Sequence, residues 1–442
     1  MGNFLLQKTH GLFYTAKIDR FWFVYDCGSS SVKTIKTKVQ NFCKTHLNQK
    51  RLPFLFLSHL HHDHISGLET LFSCVKVDYV FLPYLSPWER LLLAIIAPKF
   101  SPWYIDFLRN PVEYLLKKGA NVILITNFKK GTDEEEETDI RPIYLEYPPD
   151  FPIYLDGLKD LEEKTAENLF EQEGNPDLLK KYYKNGRLRV TGHSPKSSRI
   201  SQLWEFVLYQ APMSEKAFED FKGWVLDKIK GIPFLRNNIG SYNSNPLILL
   251  SDASLLEELK SLYYKLFEGK DKLNLTSLIL WHGPLNSEKR SIRNLKFGYC
   301  YDYNAHEIPK KLLLDLCWRN TSCSAVSIAI SCLVPIKSKY GQLLTGDLNL
   351  KNQCIYNDFK NHFGEKLSST VIFLVPHHGS KNNWNQKLIH EIKSGEIWII
   401  SADQKNNRYP PHKEVITDIL YNGKMLFCTG KNADYVISFD AV

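Results

Sequence analysis

Long hydrophobic runs are missing from this 442-residue sequence. The longest, at residues 91–97 and 371–375, fall far short of the roughly 20 apolar residues that a membrane-spanning helix needs. The first 14 residues carry one early lysine and no small-residue cleavage site after an apolar stretch, so they do not resemble a signal peptide. The sequence therefore predicts a protein without a membrane span, located in the cytoplasm.

Paired cysteines and the common nucleotide motifs are missing as well. The nine cysteines are scattered singly, with no C-x-x-C pair, which favours reduced thiols in a cell interior over a disulfide framework. No G-x-G-x-x-G opens a helix after a strand, and neither a P-loop nor a G-x-S-x-G serine elbow is present. These absences argue against a nucleotide cofactor and a serine nucleophile.

The composition is that of a folded globular protein, since 43% of the residues are hydrophobic and 24% are charged. This excludes the disordered and fibrous classes. The formal charge of +8 is a mild basic excess. It suits a polyanionic partner such as nucleic acid, although ordinary solubility explains it equally well.

The hydrophobic pattern predicts alternating strands and helices in two separated parts of the chain. The first part contains a hairpin, a helix and three strands, at residues 12–16 with 21–25, 31–47, 52–57, 77–83 and 122–126. The later part contains strands at 247–250, 278–281, 371–375 and 397–401, and a hairpin formed by 325–333 and 342–345. Between them lie an acidic run, a proline cluster and charged helical segments. We therefore expect one domain made of residues 1–127 and 246–442, interrupted by a mostly helical insertion at 128–245.

A basic stretch lies within the expected insertion. Its cations are Lys180, Lys181, Lys184, Arg187 and Arg189, and two tyrosines lie among them. One interpretation is a solvated helical face. The other is a patch that contacts the phosphates of a nucleic acid beside the catalytic residues.

The densest group of reactive side chains follows the strand predicted at 52–57. His59, His61, Asp63 and His64 lie within six residues of each other. In an extended segment His59 and His61 project to the same side, because side chains alternate along a strand. Imidazole and carboxylate groups suit zinc, manganese or iron, so this pattern predicts a metal site.

This H-x-H-x-D-H pattern resembles the metallo-β-lactamase superfamily. Asp26 matches the first aspartate of the superfamily, and Asp347 in Leu344-Thr345-Gly346-Asp347 matches the aspartate that bridges two metals. The elements at 343–347, 376–380 and 406–412 look like the metallo-β-lactamase domain of ComEC-type DNA-uptake proteins and their stand-alone relatives. The resemblance covers about residues 3–85 and 325–440 and leaves the middle unmatched.

The resemblance implies an α/β fold, the αββα metallo-β-lactamase sandwich, and two divalent metal ions, zinc or manganese. The implied ligands are His59, His61, Asp63, His64, Asp347, and one or both of His377 and His378. Asp26 would hydrogen-bond a ligating histidine. A hydroxide bridging the metals would be the nucleophile, with Asp63 orienting it. One of His377, His378 and His412 would supply a proton to the leaving oxygen.

Two departures from the superfamily pattern stand out. The superfamily usually supplies another histidine ligand between the first cluster and the bridging aspartate, whereas this sequence has Asn- and Ser-containing segments at 274–277 and 320–322. His282 is an alternative substitute, although a structural role for it is favoured. In the element at 406–412 the Gly-His pair of the ComEC-type domains is shortened, which leaves open whether His412 is the equivalent histidine.

The function implied by the resemblance is a metal-dependent phosphodiesterase or nuclease acting on DNA or RNA. A hydrolase of a small phosphodiester or ester, including a cyclic nucleotide, is the alternative enzyme. A binding or regulatory subunit with an incomplete metal site is the alternative outside enzymes, and the missing middle histidine supports it. Relatives beside ATPases in bacterial defence suggest a protein partner such as a defence-associated ATPase.

Overall fold

The structure is a computed structural model of the 442-residue chain, and the account below concerns the residues that it describes. These are residues 2–7, 12–18, 21–47, 51–97, 101–126, 153–154, 158–193, 198–200, 204–211, 215–231, 245–266, 277–284, 292–301, 327–330, 340–395, 397–402, 410–429 and 433–441.

The strands in these residues are β1 (Gly2–Gln7), β2 (Phe13–Ile18), β3 (Phe21–Tyr25), β4 (Arg51–Phe56), β5 (Lys76–Pro83), β6 (Asn121–Thr126), β7 (Ile153–Tyr154), β8 (Leu158–Asp160), β9 (Leu188–His193), β10 (Ser198–Ile200), β11 (Trp204–Gln210), β12 (Leu278–Pro284), β13 (Ile292–Tyr301), β14 (Ser327–Ile330), β15 (Gly341–Leu344), β16 (Thr370–Leu374), β17 (Ile397–Ser401), β18 (Met425–Thr429) and β19 (Ala433–Ala441).

The α-helices are α1 (Val32–His46), α2 (His62–Ile65), α3 (Leu68–Cys74), α4 (Pro87–Ile96), α5 (Pro102–Arg109), α6 (Pro111–Lys117), α7 (Glu163–Phe170), α8 (Pro176–Lys184), α9 (Glu215–Lys230), α10 (Ala253–Leu266), α11 (Gln353–Phe363), α12 (Glu365–Ser369), α13 (Leu388–Glu391) and α14 (Lys413–Tyr421). Two 3-10 helices lie at Pro246–Ser251 and Pro376–Gly379. None of the described helices combines the length and the apolar character that a bilayer span requires.

The strands form two sheets. The first has the order β14-β13-β19-β1-β2-β3-β4-β5-β6-β9-β8, and the second has the order β18-β17-β16-β15-β12-β11-β10-β7. Strands β3, β4, β5, β6 and β9 are parallel neighbours in the first sheet. Strands β15 to β18 are parallel neighbours in the second. Each sheet therefore has one edge at which the carboxyl ends of its parallel strands meet, where ligand sites of such sheets lie.

Alternating side chains divide the apolar residues into three buried layers. Along β4, Phe54 and Phe56 pack between the two sheets, whereas Leu55 packs against the helices on the outer face of the first sheet. Along β16, Leu374 faces the first sheet and Phe373 faces the helices that cover the second. The result is the order helices, sheet, sheet, helices. This is the αββα architecture that the sequence analysis expected.

Most of the strongly patterned elements predicted from the sequence are confirmed. The hairpin at 12–16 and 21–25 forms from β2 and β3, which pair antiparallel. The helix at 31–47 is α1, and the strands at 52–57, 77–83 and 122–126 are β4, β5 and β6. The strands at 278–281, 371–375 and 397–401 correspond to β12, β16 and β17.

Two of the predicted elements are wrong. The apolar run at 247–250 lies in the 3-10 helix Pro246–Ser251, which begins at a proline and is capped by the Asn245 side chain accepting from the Leu247 amide. A run of four apolar residues does not distinguish a strand from a buried helical turn. The expected hairpin of 325–333 and 342–345 does not form, because β14 pairs with β13 in the first sheet and β15 pairs with β12 and β16 in the second.

The segment expected to be a mostly helical insertion also contributes to the sandwich. Strands β8 and β9 extend the first sheet, and β7, β10 and β11 extend the second. Helices α7, α8 and α9 bury Leu169, Leu179 and Phe221 in the same apolar layer as α1. The described part of this segment therefore contains both helices and strands. The boundaries at 127/128 and 245/246 stay a prediction.

Candidate metal centre

The chain turns sharply where it leaves β3 and β4, and this turn gathers the first candidate ligands. The Ser58 amide donates to Asp26 Oδ1 (2.6 Å), and the Cys27 amide donates to the His64 carbonyl (2.8 Å). Only glycine fits at position 28, because a Cβ there would lie 2.2 Å from the carbonyl oxygen of Asp63. These contacts hold the 26–28 turn close to the residues that follow β4. His59, His61, Asp63 and His64 therefore lie at the carboxyl edge of the first sheet.

The second sheet contributes the facing residues from the ends of β15 and β16. Gly346 has φ +52° and a Cβ there would meet Ser58 at 3.0 Å, so glycine allows the close approach that precedes Asp347. After β16, His377 (φ 47°) and His378 (φ 56°) both have left-handed backbone conformations. Such non-glycine residues cost about 1–3 kcal/mol each and concentrate at functional sites.

Asp347 lies between two groups of donor atoms. Its Oδ2 lies 3.6 Å from His59 Nε2, 3.9 Å from His61 Nδ1 and 3.8 Å from His377 Nε2. Its Oδ1 lies 3.6 Å from His64 Nε2 and 4.0 Å from His378 Nε2. We call the donors around Oδ2 the first group.

The donors around Oδ1, together with Asp63, are called the second group. Asp63 Oδ2 lies 4.0 Å from His64 Nε2 and 3.8 Å from His378 Nε2. The donor atoms of Asp63, His64 and His378 all lie within 4.8 Å of one another. The same is true of the donor atoms of His59, His61 and Asp347 in the first group.

The residues present fit metal ions. The Nε2 atoms of His59, His61 and His64 are buried and have no hydrogen-bond partner among the described residues. The Nε2 atoms of His59 and His64 each lie 3.6 Å from an Asp347 oxygen, which exceeds hydrogen-bond length, but two ligands about 2.1 Å from one tetrahedral ion lie roughly 3.4 Å apart. A buried polar atom without a partner is costly. Divalent cations at the two groups would satisfy the Nε2 atoms of His59 and His64.

Hydrogen bonds at Nδ1 orient His59, His64 and His378 so that Nε2 of each ring could bind a metal ion. His64 Nδ1 donates to Asp26 Oδ2 at 2.7 Å. The Ser58 hydroxyl donates its single proton to Asp26 (2.5 Å), so it accepts from His59 Nδ1 at 2.8 Å. His378 Nδ1 donates to the carbonyl of Ser401 at 2.6 Å. In each ring the proton is on Nδ1, which leaves the lone pair of Nε2 free for a cation.

Two carboxylates of the centre, Asp347 and Asp63, are held ionised. Burial alone would raise the pKa of Asp347, but His377, His59 and His64 outweigh it and hold the pKa well below its usual range. Burial would likewise raise the pKa of Asp63, and His64 and His378 lower it below the usual range. For Asp26, burial dominates and raises the pKa despite His64 and Ser58. Asp63 is the more accessible carboxylate, with 35% of its side chain exposed.

The other candidates from the sequence lie outside the two groups. His282, on β12, is buried between the sheets, where its Nε2 contacts the Tyr14 hydroxyl at 3.0 Å and where Phe23 and Phe206 pack around it. Burial lowers its pKa to about 3. His412 precedes α14, and its Nδ1 accepts from the Lys381 amide at 3.3 Å. Of the Asn- and Ser-containing segments, 274–276 and 320–322 lie outside the described residues.

Three cations of the basic stretch lie near the amino end of β9, away from the edge that carries the two donor groups. Strand β9 runs parallel to β4 through β5 and β6, so its carboxyl end points to the edge that carries His59. Lys184, Arg187 and Arg189 instead lie where α8 leads into the amino end of β9. They are therefore at the opposite edge of the sheet.

Three of the five cations in this stretch also have partners within the protein. Lys180 pairs with Glu171 at 2.6 Å, and Arg189 pairs with Asp160 through two hydrogen bonds. Arg187 donates to the carbonyl groups of Leu116 and Ala120. Lys181 and Lys184 are exposed. Whether any of the five contacts nucleic acid stays a prediction.

The sequence analysis missed two residues that hold the ligands. Ser58 stands inside the motif, and its hydroxyl joins Asp26 to His59. Asn383 is 1% exposed and contacts both His377 and the backbone of Asp347. Ser58 could have been found from its place beside His59, because a hydroxyl next to a ligand is a common hydrogen-bond partner. No pattern in the sequence marks Asn383.

Comparison with known proteins supports this fold and a metal site. The family model for the metallo-beta-lactamase superfamily matches residues 11–79, which include Asp26 and the His59–His64 cluster. No curated protein matches the chain. The order helices, sheet, sheet, helices is that of the metallo-β-lactamase sandwich, and the matched segment carries side chains that could hold divalent metal ions.

Among solved structures, the chain is similar to the metallo-beta-lactamase fold protein YhfI from Bacillus subtilis, with 15% sequence identity and a TM-score of 0.19. The alignment covers 37% of this chain and 54% of YhfI. The chain therefore matches about half the length of that protein.

Proposed function

We propose that this protein is a hydrolase that uses two divalent metal ions, zinc or manganese, to cleave phosphodiester bonds in DNA or RNA. The observation that carries the proposal is the position of Asp347, whose two oxygens face two separate groups of donors. Two adjacent cations suit phosphoryl chemistry, because bound ions activate water and neutralise the charge that develops on the phosphoryl oxygens. The similarity of residues 343–347 and 376–380 to ComEC-type domains supports nucleic acid as the substrate.

Asp63 is the residue best suited to orient the attacking water. Its pKa lies below the usual range, so it is a carboxylate that accepts hydrogen bonds. Its partial exposure allows it to reach solvent, whereas the Asp26 carboxylate is fully buried. Asp63 would therefore accept a hydrogen bond from the attacking water and fix its direction of approach.

His412 is the histidine that remains able to donate a hydrogen bond to the leaving oxygen. His377 and His378 have their Nδ1 atoms hydrogen-bonded and their Nε2 atoms turned toward Asp347. His412 accepts a backbone proton at Nδ1, so the neutral ring carries its own proton at Nε2. Its amide donates to the Gly379 carbonyl (3.0 Å), which places it beside the loop that carries both histidines.

A small phosphodiester such as a cyclic nucleotide is the second candidate substrate. The position of the basic stretch favours it, because a long nucleic acid strand usually follows a line of cations and this one lies at the edge away from the metal groups. A regulatory subunit with an incomplete site has less support than the sequence suggested. Donors surround both oxygens of Asp347, so the missing middle histidine no longer argues for an incomplete site.

The test is turnover by protein purified without chelator and loaded with zinc or manganese. Single-stranded DNA, duplex DNA, RNA and cyclic nucleotides are supplied in parallel. We expect hydrolysis of at least one of them, and a loss of at least 100-fold in kcat in Asp63→Ala. Asp227→Asn is the control, since that exposed carboxylate pairs only with neighbouring Lys230 in the described residues. A metal-loaded protein that hydrolyses none of these substrates would overturn the proposal.

A further inference from the structure

The adjacent histidines His377 and His378 face different oxygens of Asp347. His377 Nε2 lies 3.8 Å from Oδ2, the oxygen that His59 also faces, whereas His378 Nε2 lies 4.0 Å from Oδ1 and 3.8 Å from Asp63. We propose that His377 supplies the third imidazole of the first group, in place of the missing middle histidine, and that Asn383 positions it. This inference rests on the proposed function, because it assumes that both groups bind metal.

The backbone of the 376–380 loop explains how two neighbouring side chains reach different donor groups. In an extended strand they would point to opposite faces of the sheet. Here both residues are left-handed, with φ and ψ of 47° and 52° for His377 and 56° and 22° for His378. The His377 amide donates to the Gly346 carbonyl at 3.0 Å, so the loop is fixed to the residue just before Asp347. Both imidazoles can therefore face Asp347.

Asn383 determines the direction of the His377 ring. Its Nδ2 donates to the carbonyl oxygens of Asp347 (3.0 Å) and Leu348 (3.4 Å), and this fixes which end of the amide is oxygen. Its Oδ1 then accepts from His377 Nδ1 at 2.9 Å. The proton of the neutral ring is therefore at Nδ1, and the Nε2 lone pair is directed toward Asp347. One buried amide thus positions the ring of one donor and the backbone of another.

His378 is oriented independently of Asn383. Its Nδ1 donates to the Ser401 carbonyl, which comes from β17 and not from the Asn383 loop. Loss of Asn383 should therefore weaken the first metal and leave the second nearly unchanged. A residue that only stabilises the fold would affect both metals alike.

Metal stoichiometry tests the assignment of the two histidines without any need for turnover. Protein is stripped with chelator, reloaded with zinc and analysed for bound metal, with circular dichroism to check folding. We expect two ions in the wild type and one each in His377→Ala and His378→Ala. The double variant His59→Ala/His377→Ala should still bind one ion, because both changes damage the same group. His59→Ala/His378→Ala should bind none.

Two results would overturn the assignment. One is unchanged stoichiometry and affinity in His377→Ala, which would leave His377 free to face substrate. The other is complete loss of metal in His59→Ala/His377→Ala, which would place His377 in the second group. If His377→Ala does not fold, His377→Asn is analysed in its place. A wild type that binds two ions and hydrolyses nothing refutes the proposed function but leaves this assignment standing.

The role of Asn383 is tested by three substitutions in one loop. Asn383→Leu should lower the affinity of the first metal by about 10–100-fold and leave the second within a few-fold of wild type. Asn383→Asp keeps an oxygen for His377 Nδ1 and should recover part of the loss. Asn385→Leu is the matched control, since Asn385 donates to the Leu350 carbonyl and contacts no donor of either group. Equal weakening of both metals in Asn383→Leu would show a purely structural role.

Discussion

The buried carboxylate of Asp26 orients one histidine ring in each of the two donor groups. It accepts directly from His64, and it reaches His59 through the Ser58 hydroxyl. Asp26 also has a left-handed backbone (φ 57°), a strained conformation that its surrounding contacts must hold in place. The same residue therefore orients one candidate ligand ring on each side of Asp347.

Substitutions at Asp26 and Ser58 should separate these two effects. Asp26→Asn should lower the affinity of both metals by about 10–100-fold, because both rings lose their orientation. Ser58→Ala should weaken mainly the first metal, since His64 keeps its bond to Asp26. Competition with a chromophoric chelator measures the two affinities. The control is Ser73→Ala, whose hydroxyl bonds to a carbonyl within its own helix. Equal effects of Ser58→Ala on both metals would contradict this reading.

His282 is a core residue, and its burial predicts how stability depends on pH. Its pKa in the folded protein is lowered to about 3 by burial, whereas the unfolded chain has the ordinary value near 6.5. The neutral ring thus contributes stability above pH 6.5 that is lost as pH falls toward 3. The loss should be up to about 1.4 kcal/mol per pH unit.

Thermal melting from pH 7 to pH 4 measures this effect in chelator-treated protein. His282→Gln keeps a side-chain amide within reach of Tyr14 and removes the titrating ring, so its melting temperature should fall less over this range than that of the wild type. His390→Gln, in α13 near the surface, is the control. Parallel curves for His282→Gln and the wild type would show that another group dominates.

The grouping of His59, His61, Asp63 and His64 at one sheet edge could be predicted from the sequence, because their spacing after a buried strand is itself informative. The orientation of each ring could not be predicted. Ring orientation depends on hydrogen bonds to Ser58, Asn383 and the Ser401 carbonyl. Asn383 and Ser401 lie outside the histidine motifs, so the motifs do not reveal them. His377 and His378 face different oxygens of Asp347 because both have left-handed backbone angles. The amino-acid sequence of this loop does not indicate such angles.

At the level of elements, buried parallel strands were the most predictable features. Strands β4 and β16 are mostly apolar, polar residues follow each of them within three positions, and both strands end at the edge that carries the candidate ligands. Strand pairing was less predictable, because β14 and β15 lie in different sheets although they are neighbours in sequence order. Pairing between distant segments is decided by packing in the whole sandwich, which a local pattern does not contain.

The position of α8 leads to a prediction about nucleic acid binding. Lys181 and Lys184 lie on this helix, whose C-terminal end is at the edge of the sheet opposite to the metal groups. We expect Lys181→Ala/Lys184→Ala to keep the salt dependence of DNA binding and the rate of hydrolysis of the wild type. Equilibrium binding over a salt series measures this. A flattening of the log-log slope by about two would show that these lysines contact phosphates after all.

On the scale of the whole molecule, the two metal groups join the two halves of the sandwich. His59, His61, Asp63 and His64 follow a strand of the first sheet, whereas Asp347, His377 and His378 follow strands of the second. Each group contains donors from both sheets. Bound metals would therefore link the two sheets at the edge where the candidate ligands lie.

This arrangement predicts that metal binding stabilises the entire fold. A ligand that binds only the folded state at 100 times its Kd adds about 2.7 kcal/mol per site, so zinc or manganese should raise the melting temperature by several degrees. The shift should disappear in His59→Ala/His64→Ala, in which both groups lose a donor. It should persist in His412→Ala, because His412 lies outside both groups. An equal metal-dependent shift in His59→Ala/His64→Ala would mean that the stabilising ions bind elsewhere on the chain.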